Sequence, residues 1–352
     1  MIEKNGFYPE ITIAKGIGIV LVVVGHCIPD IFRIKQFIYL FHMPLFFFLS
    51  GYCYRVASER DWIGYCIRKI KSLYVPFVLC NCFALLFHQS FCRIGLYPQE
   101  ELFQSAKQFM IYFAKILLCI KMEDIVAPLW FLPILMFVCI INILARKAIS
   151  SLKWNQNVLH ILVLTMYCVG FLVPRTGIFR AYVLVSLGLF SFDFGFLVHD
   201  RMIFDKLKYG MAVFFAIVLW FAAQVVDINM IQMRIGNPIT YALFSSIGIY
   251  SVWVLSKLLV PLKIARLFML AGKKSLVILE WHYYAFLAFT IIQSCLVYGR
   301  FVVKGQTFTQ YYLIQSPYKL LCFLGYTMFG VFIPLMLESR IQKMNQRINR
   351  EK

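Results

Sequence analysis

The stretch KGIGIVLVVVGHCIPDIFRIKQFIYLFHMPLFFFLSG, Lys15–Gly51, decides how the rest of the chain is read. It holds two apolar runs joined by a short polar turn that begins at Pro29-Asp30. Lys15 opens the first run and His26 sits near its far end. His42 and Pro44 open the second, aromatic run, which ends at Ser50-Gly51. Lys15 and His26 are eleven positions apart. At about 100° per residue that is nearly three turns, so both project from one helix face, roughly 16 Å apart along the axis. Ionisable groups inside an apolar run are costly, and they commonly mark a substrate or ion pathway.

The composition agrees with this start. Of 352 residues, 61% are hydrophobic and 14% charged, where a soluble chain carries about a quarter charged. Apolar windows long enough to cross a bilayer recur along the chain, near 11–28, 37–55, 74–91, 128–145, 158–173, 181–199, 209–227, 238–256, 275–297 and 318–337. The expected fold is therefore an all-α, polytopic membrane bundle of about ten transmembrane helices. The first run lacks a small-residue cleavage site and is read as a retained span.

The net charge of +19 raises the question of nucleic acid. With a cytoplasmic N-terminus, 23 of the 35 Lys and Arg fall on inner segments and 12 on outer ones. That asymmetry follows the positive-inside rule and places both termini in the cytoplasm. The basic excess is a topology signal that also favours contact with membrane lipids, and no basic domain outside the spans would hold nucleic acid. The chain is expected to form one membrane-embedded domain over 1–352, with a cytoplasmic tail at 338–352 and no fused soluble domain. Eleven scattered cysteines lack metal-ligand spacing and read as small buried hydrophobes, so no metal is expected.

Between the second and fourth spans lie two informative segments. The basic loop 55–73 ends in Arg68-Lys69-Ile70-Lys71, where Arg68 and Lys71 share a face if the helix continues. Two cations on one face suit a phosphorylated ligand, and they also suit ordinary inner-face charge. The outer segment 92–127 contains an amphipathic stretch, 105–120, that fits an interfacial helix better than a span, flanked by Glu100, Glu101, Glu123 and Asp124.

Several ionisable groups fall inside spans. His26 is either a boundary histidine satisfied by water or a carbonyl, or a general base, since a neutral imidazole can take a proton from a hydroxyl near neutral pH. His42 serves equally well as an interfacial anchor, and Ser50-Gly51 as a small-residue packing notch. Asp193 and Glu280 are intramembrane acids that read as functional or pore-facing rather than lipid-facing, each able to pair with a cation, and Glu280 and His282 point to different sides of their helix. Buried acids and histidines in ten spans also suit a proton-coupled secondary transporter, although no repeat-related halves are visible. A purely structural membrane subunit is a third reading.

Five segments taken together resemble the acyltransferase-3 family of integral membrane acyltransferases, which includes O-acetyltransferases of bacterial surface polysaccharides. They are KGIGIVLVVVGH at 15–26, FHMPLFFFLSGY at 41–52, RKIKSLYVP at 68–76, PLWFLPIL at 128–135 and AGKKSLVILEWH at 271–282, in the family's order. The resemblance implies transfer of an acyl group, acetyl above all, from acyl-CoA to a hydroxyl of a surface glycan or lipid-linked sugar precursor. It implies an inner (plasma) membrane location. It makes His26 the catalytic histidine and Lys15 its basic partner, where the family more often has arginine. Arg68 and Lys71 match a two-cation motif proposed to bind the acetyl-CoA phosphates. Ser50, Gly51, Ser275 and His282 sit in matching motifs without assigned roles. Whether His26 acts as a base or carries the acyl group itself is left open. The choice of acceptor falls to the outer loops 92–127 and 298–317.

Overall fold

The structure, a computed structural model, describes residues 8–28, 33–206, 208–299 and 318–350. Most of the loop expected at 298–317 and the tip of the first turn, 29–32, lie outside them. In chain order the helices are α1 (Pro9–Cys27), α2 (Ile34–Tyr39), α3 (His42–Tyr52), α4 (Trp62–Lys69), α5 (Val75–Leu85), α6 (His88–Arg93), α7 (Ala106–Leu117) and α8 (Phe131–Ser151). They continue as α9 (Asn157–Gly170), α10 (Gly177–Asp200), α11 (Gly210–Val225), α12 (Pro238–Leu259), α13 (Ala265–Lys273), α14 (Ser275–Tyr298) and α15 (Lys319–Arg350). No strand occurs among the described residues, only an isolated bridge between Asn229 and Arg234.

Seven stretches are long and apolar enough to cross a bilayer: Pro9–Cys27, Ile34–Tyr52, Asp124–Ser151, Gly177–Asp200, Pro238–Leu259, Ser275–Leu296 and Lys319–Gln342. Two of the remaining expected spans are shorter apolar helices, α9 and α11. The span expected at 74–91 is replaced by the 11-residue α5 and the short α6. Large apolar side chains such as Leu86, Leu172, Phe221 and Leu296 are exposed. Water would penalise such a surface and hydrocarbon does not, whereas helices satisfy their own backbone groups in lipid. The chain is a multi-pass membrane protein.

The cysteines depart from expectation. Only Cys27, Cys92, Cys139 and Cys322 are buried, and Cys53, Cys168 and Cys295 are exposed. A thiol is apolar enough to face lipid, so burial inside protein is not required of it.

The residues group into two compact units. The first draws on Met1–Gly18, Asp30–Pro76 and Phe131–Met269. Its main crossing sets α3 against α10. A Cβ on Gly51 would lie 1.8 Å from the Phe192 carbonyl oxygen, and one on Gly195 would lie 2.1 Å from that of Phe48. The two backbones approach so closely that only glycine fits, a small-residue contact typical of membrane helices. Ser50 meanwhile donates to the Phe46 carbonyl of its own helix at 2.9 Å. Ser50-Gly51 is therefore a packing notch in which the glycine carries the constraint.

The second unit draws on Ile19–Pro29, Phe77–Trp130 and Leu270–Lys352. Here α14 packs on α15 and on the turn Asp124–Trp130. Phe83 of α5 touches Trp281 and Tyr284 of α14. The stretch expected to be an amphipathic helix is α7, with Ser105 accepting from the Gln108 amide at its start.

This segment is tied down by a buried ion pair. His88 Nδ1 lies 3.0 Å from both Glu123 carboxylate oxygens, and Nε2 lies 3.0 Å from the Glu101 carbonyl. Both side chains of the pair are fully buried. Carbonyl and carboxylate offer only lone pairs, so both ring nitrogens donate and His88 is held as the cation. Burial pulls its pKa down, but the hydrogen bonds to Glu123 and to the Glu101 carbonyl, with the charges of both glutamates, outweigh it and leave the pKa raised. The Phe103 ring stacks on the imidazole at 4.4 Å. The Asn81 amide oxygen receives the Glu123 N–H at 2.9 Å, and the Tyr97 hydroxyl receives that of Ile125 at 3.1 Å.

Two expectations follow from these contacts. A raised histidine pKa gives stability that is complete below the unfolded value of about 6.5 and is lost as pH rises through the folded value. Hydrogen exchange across 97–125, corrected for intrinsic rate, should therefore lose protection as pH rises above about 6.5. Glu123→Gln should flatten that dependence and destabilise the segment by about 3–5 kcal/mol, as expected for a broken buried pair. Separately, Gly51→Ala should lower the thermal unfolding temperature in detergent, by an overpacking cost of about 1–3 kcal/mol, while Ser50→Ala leaves it nearly unchanged.

Candidate functional site

The residue that organises the opening stretch, His26, belongs to the second unit. It lies half-buried in the last turn of α1, which runs unbroken from Pro9 to Cys27. Its Nδ1 is 2.9 Å from the Tyr283 hydroxyl, and the two rings meet edge to face at 5.1 Å. The ring of His282 lies 5.6 Å from that of His26, tilted by 33°. His282 is fully buried. Its Nδ1 lies 2.9 Å and 3.0 Å from the carbonyls of Ile278 and Leu279, so that nitrogen carries the proton and Nε2 keeps its lone pair.

This cluster rests on helix geometry. Tyr283 and Phe286 are three apart on α14 and stack on each other at 5.8 Å. A Cβ on Gly330 of α15 would meet the Phe286 ring at 2.6 Å and Val23 of α1 at 2.7 Å, so small residues let the three helices close around the histidines. Cys27 and Thr327 make a further polar contact, at 3.4 Å.

A histidine hydrogen-bonded through Nδ1 has its tautomer set by its partner. If Nδ1–H donates to the tyrosine oxygen, Nε2 is left as a lone-pair base. The arrangement therefore has the parts of a general base and its orienting group. Tyr283 was not visible as a site residue from sequence. The trace it leaves is its position beside His282 in EWHYY, a polar pair inside an apolar helix.

The other residues singled out from sequence have varied surroundings. Lys15 is half-buried eleven positions before His26 in the same helix, and no hydrogen bond or ion pair to it occurs among the described residues. Glu280 is half-buried, and no ion pair to it occurs among the described residues. The nearby lysine, Lys274, pairs instead with Glu338 at 2.7 Å. Ser275 begins α14, seven positions before His282.

In the first unit, His42 is buried with Nδ1 3.0 Å from the Ile38 carbonyl and Tyr39 stacked on it at 5.0 Å. That bond secures the break between α2 and α3, which is an anchoring role. Asp193 does have partners: the imidazole of His160 at 2.8 Å and the guanidinium of Arg146 at 3.7 Å. Arg146 is only 2% exposed, stacks on the Phe196 ring at 3.9 Å, and donates to Asn142 at 3.3 Å. Neither Arg146 nor His160 stands out as a site residue in the sequence. The usable signal was Asn142 four positions before Arg146, a polar partner on the same helix face.

Arg68 and Lys71 are both exposed. Arg68 pairs with Asp61 at 2.9 Å, and this hydrogen bond, helped by the Gly64 amide, holds the Asp61 carboxyl below its ordinary range. A π turn, Ile70–Tyr74, begins between the two cations. The shared face expected of them holds only for a regular helix. The wider turn changes that alignment, and such turns recur at functional sites.

No curated protein and no solved structure matches this chain. A family model described as an acyltransferase domain, that of the acyltransferase-3 family, does match, over residues 8–336. A match across nearly the whole length, on a chain with apolar helices from end to end, makes this protein a member of the acyltransferase-3 family of membrane acyltransferases.

Proposed function

We propose that the chain, in the inner (plasma) membrane, moves an acyl group, acetyl in the simplest case, from acyl-CoA to a hydroxyl of a surface glycan or its lipid-linked precursor. The observation that carries this reading is the hydrogen bond between His26 and Tyr283 inside the second unit. With Nδ1–H donated to Tyr283, the Nε2 of His26 takes the acceptor's hydroxyl proton as its oxygen attacks the thioester carbonyl. The carbon–sulfur bond breaks, and the imidazolium returns the proton to the departing CoA sulfur. The products are the ester and free CoA, and the histidine ends as it began. Lys15 supplies positive charge on the same helix, as a point charge rather than an arginine fork.

Arg68 and Lys71 receive the CoA phosphates from the cytoplasm in this reading. Exposure supports it, because a soluble donor must reach them. The Asp61 partner is a surface pair of small energy, so a phosphate displaces it at little cost.

Purified protein should transfer radiolabel from acetyl-CoA to de-O-acylated polysaccharide of the producing cell. His26→Ala should lower that rate by about 10²–10⁴-fold, the usual worth of a general base, without changing the protein's elution as a folded monodisperse species. Tyr283→Phe should cost about 1 kcal/mol, roughly fivefold in kcat, the value of one hydrogen bond. Undiminished transfer by His26→Ala would overturn the mechanism. In a second experiment, the pair Arg68→Ala and Lys71→Ala should raise the KM for acetyl-CoA by about tenfold with kcat retained. The same pair should bind the 3′-dephospho donor with less additional loss than the native protein shows.

A further inference from the structure

The nitrogen His282 Nε2 is a buried acceptor to which nothing above gives a use. The side chain is fully buried in α14, and Nε2 has no hydrogen-bond partner among the described residues. Its state is set by geometry. Nδ1 faces the carbonyls of Ile278 and Leu279, which accept only, so Nδ1 is protonated and Nε2 presents a lone pair. The group it awaits must therefore donate. Leaving such an acceptor unmet in an apolar interior costs about 1–3 kcal/mol, so a partner is strongly favoured. The Tyr283 and Phe286 rings pack on the imidazole at 4.8 Å and 5.5 Å and hold it in place. The neighbouring polar ring is His26, 5.6 Å away.

Two imidazoles at this spacing suit two hydroxyl groups on adjoining carbons. Each oxygen reaches one nitrogen at an ordinary N···O distance of about 2.7–3.2 Å. We propose that His282 Nε2 accepts a hydrogen bond from a second hydroxyl of the acceptor, beside the one deprotonated at His26. The acceptor is then a diol, as a sugar ring is, and His282 is a specificity-determining residue. The inference rests on the acyl-transfer reading of His26. A pocket that must satisfy a buried acceptor discriminates against analogues lacking the donor hydroxyl.

The test compares two replacements in the full-length protein, with acetyl-CoA as donor and the producing cell's de-O-acylated polysaccharide as acceptor. His282→Gln places an amide oxygen near the former Nε2 and keeps an acceptor there. His282→Asn is too short to do so, and its amide reaches only the region of Nδ1. The expected result is at least a tenfold rise in KM for the polysaccharide in His282→Asn, with the KM for acetyl-CoA unchanged and most of the polysaccharide affinity kept in His282→Gln. Equal polysaccharide KM in native and Asn proteins would overturn the inference. So would equal losses in both variants, or a parallel rise in the KM for acetyl-CoA, since a structural role moves all of these together. If His26→Ala still transfers acetyl, the underlying reading fails. If His26→Ala is inactive and His282→Asn is unimpaired, only the diol inference fails.

Discussion

A polar side chain that leaves water for the interior of a membrane protein must find its partner inside the fold, because hydrocarbon supplies none. Backbone groups meet that condition by forming helices. Side chains meet it by pairing across helices. Asp193 draws His160 from α9 and Arg146 from α8 onto α10. His88 holds Glu123 and the backbone of Glu101, and so fastens the segment between α5 and α8. His26 is joined to Tyr283 by one hydrogen bond that links α1 to α14. Removing one member of such a pair leaves the other stranded, which is why these contacts constrain the helices more than their number suggests.

His282 departs from that pattern through one nitrogen. Its other nitrogen, like Nδ1 of His42, is satisfied by a carbonyl one helical turn back. Histidines bonded in this way fix their own tautomer and need no further charge partner. His42 is thereby anchored beside the break between α2 and α3, whereas His282, beside His26, presents an unpaired lone pair. The same local geometry sits in different surroundings because the rings alongside differ: Tyr39 for one and a second histidine for the other.

Close backbone approach is the complementary constraint. At Gly51 and Gly195 the backbones of α3 and α10 leave no room for a Cβ, and at Gly330 an added Cβ would strike Phe286 and Val23 beside the histidine cluster. Between lipid-solvated helices, packing of this kind replaces the hydrophobic drive that assembles soluble proteins. It places the polar pairs at hydrogen-bonding distance. The cations Arg68 and Lys71 stand outside these close contacts and are exposed.

Helix after helix was legible in the sequence, since twenty apolar residues admit few alternatives to a span. Two windows, 158–173 and 209–227, became shorter helices of 14 and 16 residues, and 74–91 broke after Leu85 because a polar His88-Gln89-Ser90 follows and His88 pairs with Glu123. The sequence also determined the family, through motifs whose order survives without any knowledge of contacts. Only the tertiary structure decided the partners. Pattern shows that Arg146 is cationic, not that it turns inward to Asp193. It shows His26 and His282 256 positions apart, not that their rings lie 5.6 Å from one another with Tyr283 between function and fold. Periodicity is a local property of a helix, whereas a hydrogen bond between helices depends on how both are packed, and that information is held by the whole chain at once.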